Sequence, residues 1–329
     1  MEPIFQERPW GGRRLADLLG KDLPAGAPIG ESWELADHPK GRTRVAGGPL
    51  AGKTVRWLLE NRGAEVIGLH EMAHGGAVRF PLMVKFIDVA ERMDLAVHPH
   101  EALAPTREEG ETGQAECWVV LDAEPDAWVV EGLKPGVTRK GLAQALQAGA
   151  AADVIALRNV AAGDFVWIPA GRVHAAGQGV VLAEVAQNSE AAYPVSVSNP
   201  SGGDDQPPDP GAAEALEVID FSGEAPPAGG SGRTTSETGL AIEHLVDCHA
   251  FSLTRVRIDR RPWAAATGGA YAVVVALRGT CTLATPEADL ALAAGTTVLV
   301  PAAADEYAFT DADAFACLVA APPGKAPTR

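Results

Sequence analysis

Three short stretches of this 329-residue chain carry side chains that could hold a divalent metal together. They are Val97-His98-Pro99-His100, Glu116 at the head of Glu116-Cys117-Trp118-Val119-Val120, and His174. Imidazole nitrogens and a carboxylate suit Zn2+, Fe2+ or Mn2+. Three protein ligands leave coordination positions open for water or substrate, which separates a catalytic metal site from a closed structural one. The same residues also fit plainer roles. His98 and His100 would face one side of a regular strand, but Pro99 sits between them and the tripeptide equally fits an ordinary turn. Glu116 fits a strand end in solvent, and His174 fits a hydrogen-bonded histidine of core or surface.

The element that must position His174 is legible around it. Gly163 ends one connection, Phe165 to Ile168 is a short apolar run, and Pro169-Ala170-Gly171 forces a turn three residues before the histidine. This pattern predicts a buried strand leading into a tight corner, with His174 just beyond it. Strands are likewise predicted at 80–89, 95–97, 116–121, 127–130 and 180–186. Val55, Leu58 and Leu59 in one segment, and Leu142, Ala145 and Leu146 behind Thr138 in another, have the spacing of short helices.

Composition narrows the function classes. The chain has 27 Lys and Arg against 43 Asp and Glu, a net charge of −16, and no basic run. Nucleic acid and anionic membrane are therefore excluded as expected partners. The four cysteines, Cys117, Cys248, Cys281 and Cys317, lie far apart without CxxC spacing, against structural zinc and against a disulfide framework. No apolar run approaches a membrane span, and Met1-Glu2-Pro3-Ile4-Phe5 has no signal-like character. A soluble cytoplasmic protein is the expectation.

Two stretches, Ser198 to Pro210 and Pro226 to Thr238, turn to Ser, Gly, Asp, Pro and Thr and read as connecting segments. The expected organisation is an N-terminal metal-binding domain over 1–200, a linker over 201–238 and a smaller all-β domain over 239–329. The halves echo each other: Gly163-x5-Pro169 recurs as Gly295-x5-Pro301. The second copy has Ala303 where Gly171 stands in the first and Glu306 where His174 stands. A duplicated barrel with one working site follows.

Gly163-x5-Pro169-x-Gly171-x2-His174 matches the second cupin motif. The wider chain resembles the short bacterial type I mannose-6-phosphate isomerases. The resemblance lies in Pro9-Trp10-Gly11-Gly12, Gly30-Glu31-Ser32-Trp33-Glu34, His38-Pro39-Lys40-Gly41, Phe80-Pro81-Leu82, Val97-His98-Pro99, Glu116-Cys117-Trp118, Ile168 to Ala175, and Gln187-Asn188-Ser189. It implies a mainly β protein of two cupin (double-stranded β-helix, jelly-roll) barrels with a few short helices, the second barrel degenerate. It also implies one Zn2+ per chain, or Fe2+ or Mn2+, held by His98, Glu116 and His174. The implied substrate is a small sugar or sugar phosphate, and the implied reaction interconverts mannose 6-phosphate and fructose 6-phosphate. Glu184 matches a family acidic position and is the acid/base candidate; an edge or surface carboxylate is its plainer reading. Glu31 and Trp33 are candidates for the mouth of the pocket, with a core role the plainer reading for Trp33.

This chain departs from the family where the chemistry sits. Gln114 replaces a Lys two residues before the ligand Glu, Pro194 an Arg, and Asp94 a Ser; Ala96 stands where longer relatives have a fourth ligand, a Gln. Proline has no N–H to donate, whereas Arg grips phosphate with a fixed fork. Losing one donor to a transition state typically costs about 2.7–4 kcal/mol. Arg172, Lys85, Lys134, Arg139 and Arg158 are the cations that could substitute. The alternative expectation is a metal-binding cupin that acts on or senses a non-phosphorylated sugar, or a catalytically inactive homologue.

Overall fold

The computed structural model describes residues 1–75, 79–104, 111–195, 210–223 and 234–327. A six-stranded sheet runs Ile4–Gly12, Ile29–Leu35, Leu82–Val89, Val180–Gln187, Glu116–Ala123, Phe165–Ile168. A five-stranded sheet runs Tyr193–Pro194, Ala96–Val97, His174–Ala176, Trp128–Leu133, Ile155–Asn159. Neighbouring strands in both are antiparallel.

Leu82–Val89 and Val180–Gln187 are buried along their whole length, as nearly continuous apolar runs must be when both faces of a sheet are covered. One face carries Val84, Phe86, Cys117, Val119, Val181, Ala183 and Val185. These pack with the helix residues Leu15 and Leu58 and with Phe251, Tyr271 and Val273 from the second half of the chain. The opposite face carries Ile87, Trp118, Val120, Val166 and Leu182, which meet Val129 and Ala176 of the five-stranded sheet. Each such side chain contributes about 1.5–3 kcal/mol on burial. The outer face of the five-stranded sheet is closed by the helices Arg139–Gln147 and Pro210–Val218 through Leu142, Leu146, Ala215 and Val218.

The predicted helices form behind threonine caps. Thr54 accepts the Trp57 N–H at the start of Val55–Ile67, and Thr138 accepts the Gly141 N–H ahead of Arg139–Gln147. Among the described residues, no helix is long and apolar enough to cross a membrane. Of the two predicted connecting segments, 198–209 and 226–233 lie outside the described residues; Thr234–Glu237 is a strand.

The second half forms an eight-stranded antiparallel sheet. Its longest inner strand but one is the 13-residue Ala272–Ala284. Gly279, at φ 69°, lies among register shifts that let one strand bend without ending. Thr297–Val300 pairs with Ala272–Val275 as Phe165–Ile168 pairs with Glu116–Val119. Val300 faces Ala272, whereas Ile168 faces Glu116. The second corner thus lacks the carboxylate as well as the imidazole.

Candidate metal centre

Strand register brings the chemistry to one end of the space between the two sheets of the first half. Opposite residues form a row across the six-stranded sheet: Trp33, Lys85, Glu184, Trp118 and Val166. Alternate residues of a strand share a face, so Glu116 lies on the side of Trp118. His174 comes from the five-stranded sheet and meets the Trp118 ring edge-on, with centroids 5.6 Å apart.

His98, Glu116 and His174 converge, their ligand atoms all within 4.8 Å of one another. His98 Nε2 is 3.2 Å from Glu116 Oε2, and His174 Nε2 is 3.6 Å from Glu116 Oε1. The two imidazoles stack with centroids 4.7 Å apart. His98 Nδ1 lies 2.8 Å from the Ala191 carbonyl oxygen, and His174 Nδ1 lies 2.9 Å from that of Arg172. A carbonyl only accepts, so each Nδ1 carries a proton and each ring turns its Nε2 toward Glu116. Such anchoring of the far nitrogen is what a ligating histidine needs. Glu116 Oε1 and Gln114 Oε1 are buried without hydrogen-bond partners, which is costly unless something is coordinated there. The donor set therefore fits a divalent cation.

The charges fit as well. Burial alone would raise the Glu116 carboxyl, but His98 and His174 overcome it and hold it down at about 2. Burial lowers His174 to about 4, against the pull of Glu116, so this ring is neutral near pH 7. Burial would also lower His98, but Glu116 raises it on balance.

Beside the triad, Lys85 Nζ lies 3.2 Å from Glu184 Oε1 and 2.7 Å from Glu190 Oε1. Trp118 Nε1 donates to Glu184 Oε2 at 3.1 Å. Burial and the Glu116 carboxylate push Glu184 up to about 7 even though Lys85 pulls it down. For Lys85, burial is overcome by Glu184, Glu190 and Glu31, which hold the ammonium firmly charged. Glu31 is gripped by Arg8 through two bonds of 2.8 and 3.0 Å and accepts from Trp33 Nε1 at 2.8 Å.

The motifs quoted from the sequence build the frame. Ser189 Oγ and Glu190 N–H both donate to Glu111, whose other oxygen lies 2.6 Å from His38 Nε2. Asn188 donates to the Asp37 carbonyl, and Gln187 accepts the Ala115 N–H. These bonds lead the chain across the sheet end so that the Ala191 carbonyl reaches His98. Gly171, at φ 81°, donates its N–H to the His98 carbonyl at 2.8 Å.

Several candidates are placed elsewhere. His100 is exposed; its Nε2 is 2.5 Å from where a Cβ on Gly171 would stand, and it lies outside the triad. The strand predicted at 95–97 ends at Val97, so His98 and His100 lie beyond it and do not share a strand face. Lys134 bonds the carbonyls of Ala152 and Asp153, Arg158 pairs with Glu131, and Arg139 lies over Phe221. Arg172 packs beside Gly132. Asp94 and Pro194 are exposed, Pro194 opposite Ala96. Trp33 is core, as its plainer reading had it, and Glu31 is buried against Arg8. Of the five cations considered, Lys85 is the one beside Glu184. Glu190 was not singled out by sequence; Lys85 and Glu184 stand out there as charges within largely apolar strands, the first of which also carries Asp88.

Residues 1–112 match the model of the catalytic domain of type I phosphomannose isomerase. The mannose-6-phosphate isomerase ManA of Bacillus subtilis is 34% identical over 192 residues, 58% of each chain. It and two further Bacillus subtilis relatives are matched over only 58–59% of their own length. The mannose-6-phosphate isomerase of Streptococcus mutans is 31% identical over 267 residues, 78% of this chain and 79% of the relative. The crystal structure of mannose 6-phosphate isomerase from Bacillus subtilis superposes with a TM-score of 0.85 at 28% identity, covering 97% of each chain. With the expected frame of motifs in place around a convergent donor set, and a relative matched over most of its length, the chain belongs to the type I mannose-6-phosphate isomerase family.

Proposed function

We propose that this chain is a metal-dependent aldose–ketose isomerase interconverting mannose 6-phosphate and fructose 6-phosphate. In this reading His98, Glu116 and His174 hold one divalent ion, zinc by the preference of two imidazoles and a carboxylate, with Fe2+ or Mn2+ served by the same donors. Residues 1–200 form the metal-holding cupin domain and 239–329 a degenerate one, joined through 201–238. The enzyme is cytoplasmic, where phosphorylated sugars are retained.

The observation that carries the proposal is Glu184, buried beside the triad with Lys85 Nζ 3.2 Å from one oxygen and Trp118 Nε1 3.1 Å from the other. A carboxyl so placed can take and return a proton, as a shuttle between C1 and C2 requires. Trp118 Nε1 fixes one of its oxygens, and Lys85 stabilises the ionised form. When bound, the ion held by His98, Glu116 and His174 would supply positive charge that acidifies the C–H beside the sugar carbonyl. Burial of this charged cluster keeps bulk water from screening it. The test is direct: zinc-loaded protein is given fructose 6-phosphate, and mannose 6-phosphate is measured. Turnover at the rate of buffer alone would overturn the proposal.

One observation favours a second reading, action on a non-phosphorylated sugar. Lys85 and Arg8 are already held by Glu184, Glu190 and Glu31, and the phosphate-side family positions carry the exposed Asp94 and Pro194. Stabilisation against heat by mannose with none by mannose 6-phosphate would select this reading. The reverse would discard it.

A further inference from the structure

The side chain of Gln114 lies among the ligand atoms themselves. Its Nε2 is 2.8 Å from Glu116 Oε2 and 3.1 Å from His98 Nε2. The residue is buried, and its Oε1 meets no hydrogen-bond donor. The two amide ends have nearly the same shape and are assigned from their hydrogen bonds. The NH2 end faces inward, where Glu116 and His98 offer acceptors. A divalent cation would reverse that preference. It would take the lone pairs of Glu116 and His98, and the NH2 end would then point positive hydrogens at a positive ion. Rotation of the amide by half a turn presents a carbonyl oxygen instead, a competent ligand for such cations.

The spacing agrees. Two atoms each bonded at about 2.0–2.2 Å to one ion, at angles between a right angle and tetrahedral, lie roughly 3.0–3.5 Å apart. The His98–Glu116 distance of 3.2 Å falls in that range, the His174–Glu116 distance of 3.6 Å lies just above it, and the Gln114–His98 distance of 3.1 Å falls within it. The Gln114–Glu116 distance of 2.8 Å is shorter, as a charge-assisted hydrogen bond should be. Ala96, by contrast, has no donor atom in its side chain. We propose that Gln114 is a fourth metal ligand through Oε1, replacing both the lysine usual at this position and the donor that Ala96 lacks. This deepens the metal-holding reading of the triad and rests on it. Its consequence is a centre with one coordination position fewer for substrate and no ammonium at that place, so that Lys85 is left as the ammonium on that side of the site.

The test compares zinc affinity, by competition with a chelating dye, for wild type, Gln114→Glu and Gln114→Leu, together with a zinc-loaded crystal structure located by anomalous scattering. An oxygen ligand survives as carboxylate, so Gln114→Glu should bind zinc at least as tightly as wild type. Gln114→Leu, isolated as a folded protein by circular dichroism, should weaken it by more than about 10-fold, the low end of the loss seen for mere supporting partners. The crystal structure should place Oε1 at about 2.0–2.2 Å from the ion. Zinc on the triad with Gln114 outside bonding distance would overturn this inference alone, as would equal weakening by Glu and Leu, the result for an N–H donor that merely orients Glu116. Failure of wild type to bind zinc would overturn the triad reading and this inference together.

Discussion

Lys85 and Glu184 face each other on adjacent antiparallel strands, Nζ 3.2 Å from Oε1, Glu184 the single charge of its apolar run and Lys85 sharing its own with Asp88. Neither would be tolerated there alone, because a buried charge without a partner costs several kcal/mol. The pair places a carboxyl that can hold or release a proton beside the His98–Glu116–His174 cluster, with an ammonium to hold its ionised form. Replacing Glu184 by Gln keeps shape and removes the proton acceptor. The expected outcome is a loss of isomerase turnover of about 100- to 10,000-fold with zinc affinity retained, measured by steady-state kinetics and chelator competition.

The same pair gives a pH dependence of stability in protein freed of metal by chelation. Glu184 is raised from the usual 4.5 to about 7, so the folded state binds this proton more tightly than the unfolded chain. Its stabilising contribution is complete below pH 4.5 and is lost as pH rises through about 7. At 1.36 kcal/mol per unit, the loss is at most about 3–4 kcal/mol. Urea unfolding of wild type between pH 4.5 and 8 should show this decline relative to Glu184→Gln. Parallel curves for the two proteins would contradict it.

Lys85→Met should be among the most destabilising single changes in the first half. It leaves Glu184 and Glu190 facing each other without their ammonium, with Glu31 close by and held by Arg8 and Trp33 Nε1. Breaking a buried pair by removing one partner costs about 3–5 kcal/mol. The double change Lys85→Met with Glu184→Gln should recover part of that loss, since it removes a carboxylate along with its partner. Denaturant midpoints of the four proteins measure the coupling.

How much of this was legible in the chain follows from the range of each interaction. The corner Gly163 to His174 is local: Pro169 and Gly171 constrain their own backbone, so strand, turn and histidine could be read directly. The partners His98 and Glu116 were named by residue type, and family resemblance joined them to His174. The Lys85–Glu184 pairing was not legible, because register between strands distant in sequence decides it, and five cations competed for the role on equal terms. Gln114 was visible only as a missing lysine. Its place among the ligand atoms depends on how Glu116, two residues on, is aimed by the sheet.

Metal removal should report on the triad independently of catalysis. A ligand that binds only the folded state stabilises it by RT ln(1 + [L]/Kd), about 2.7 kcal/mol at 100 times Kd. Zinc should therefore raise the thermal midpoint of wild type, and excess chelator should reverse the gain. His174→Ala removes one of three donors while its neighbours Ala175 and Ala176 keep the strand pairing. It should abolish the zinc-dependent shift and leave the chelated midpoint near that of chelated wild type. A zinc shift that survives in this variant would place the ion elsewhere.

Gly171 links the two histidine-bearing segments, so its replacement should damage folding and metal binding together. At φ 81° an L side chain is strained, by roughly 1–2 kcal/mol. An added Cβ would also stand 2.5 Å from His100 Nε2 and 3.1 Å from the Asp220 Cβ. His100 is exposed and can move, whereas the Asp220 backbone is tied to the Gly171 carbonyl at 2.9 Å. Relief must therefore come partly from Gly171, whose N–H holds the His98 carbonyl. Gly171→Ala should lower stability by about 2 kcal/mol or more and weaken zinc binding in the same protein. The contrast is the second corner, where Asp305 sits at φ 59° with no ligand to place. There, Asp305→Gly should stabilise by up to about 1 kcal/mol through relief of the same strain, with zinc affinity unchanged.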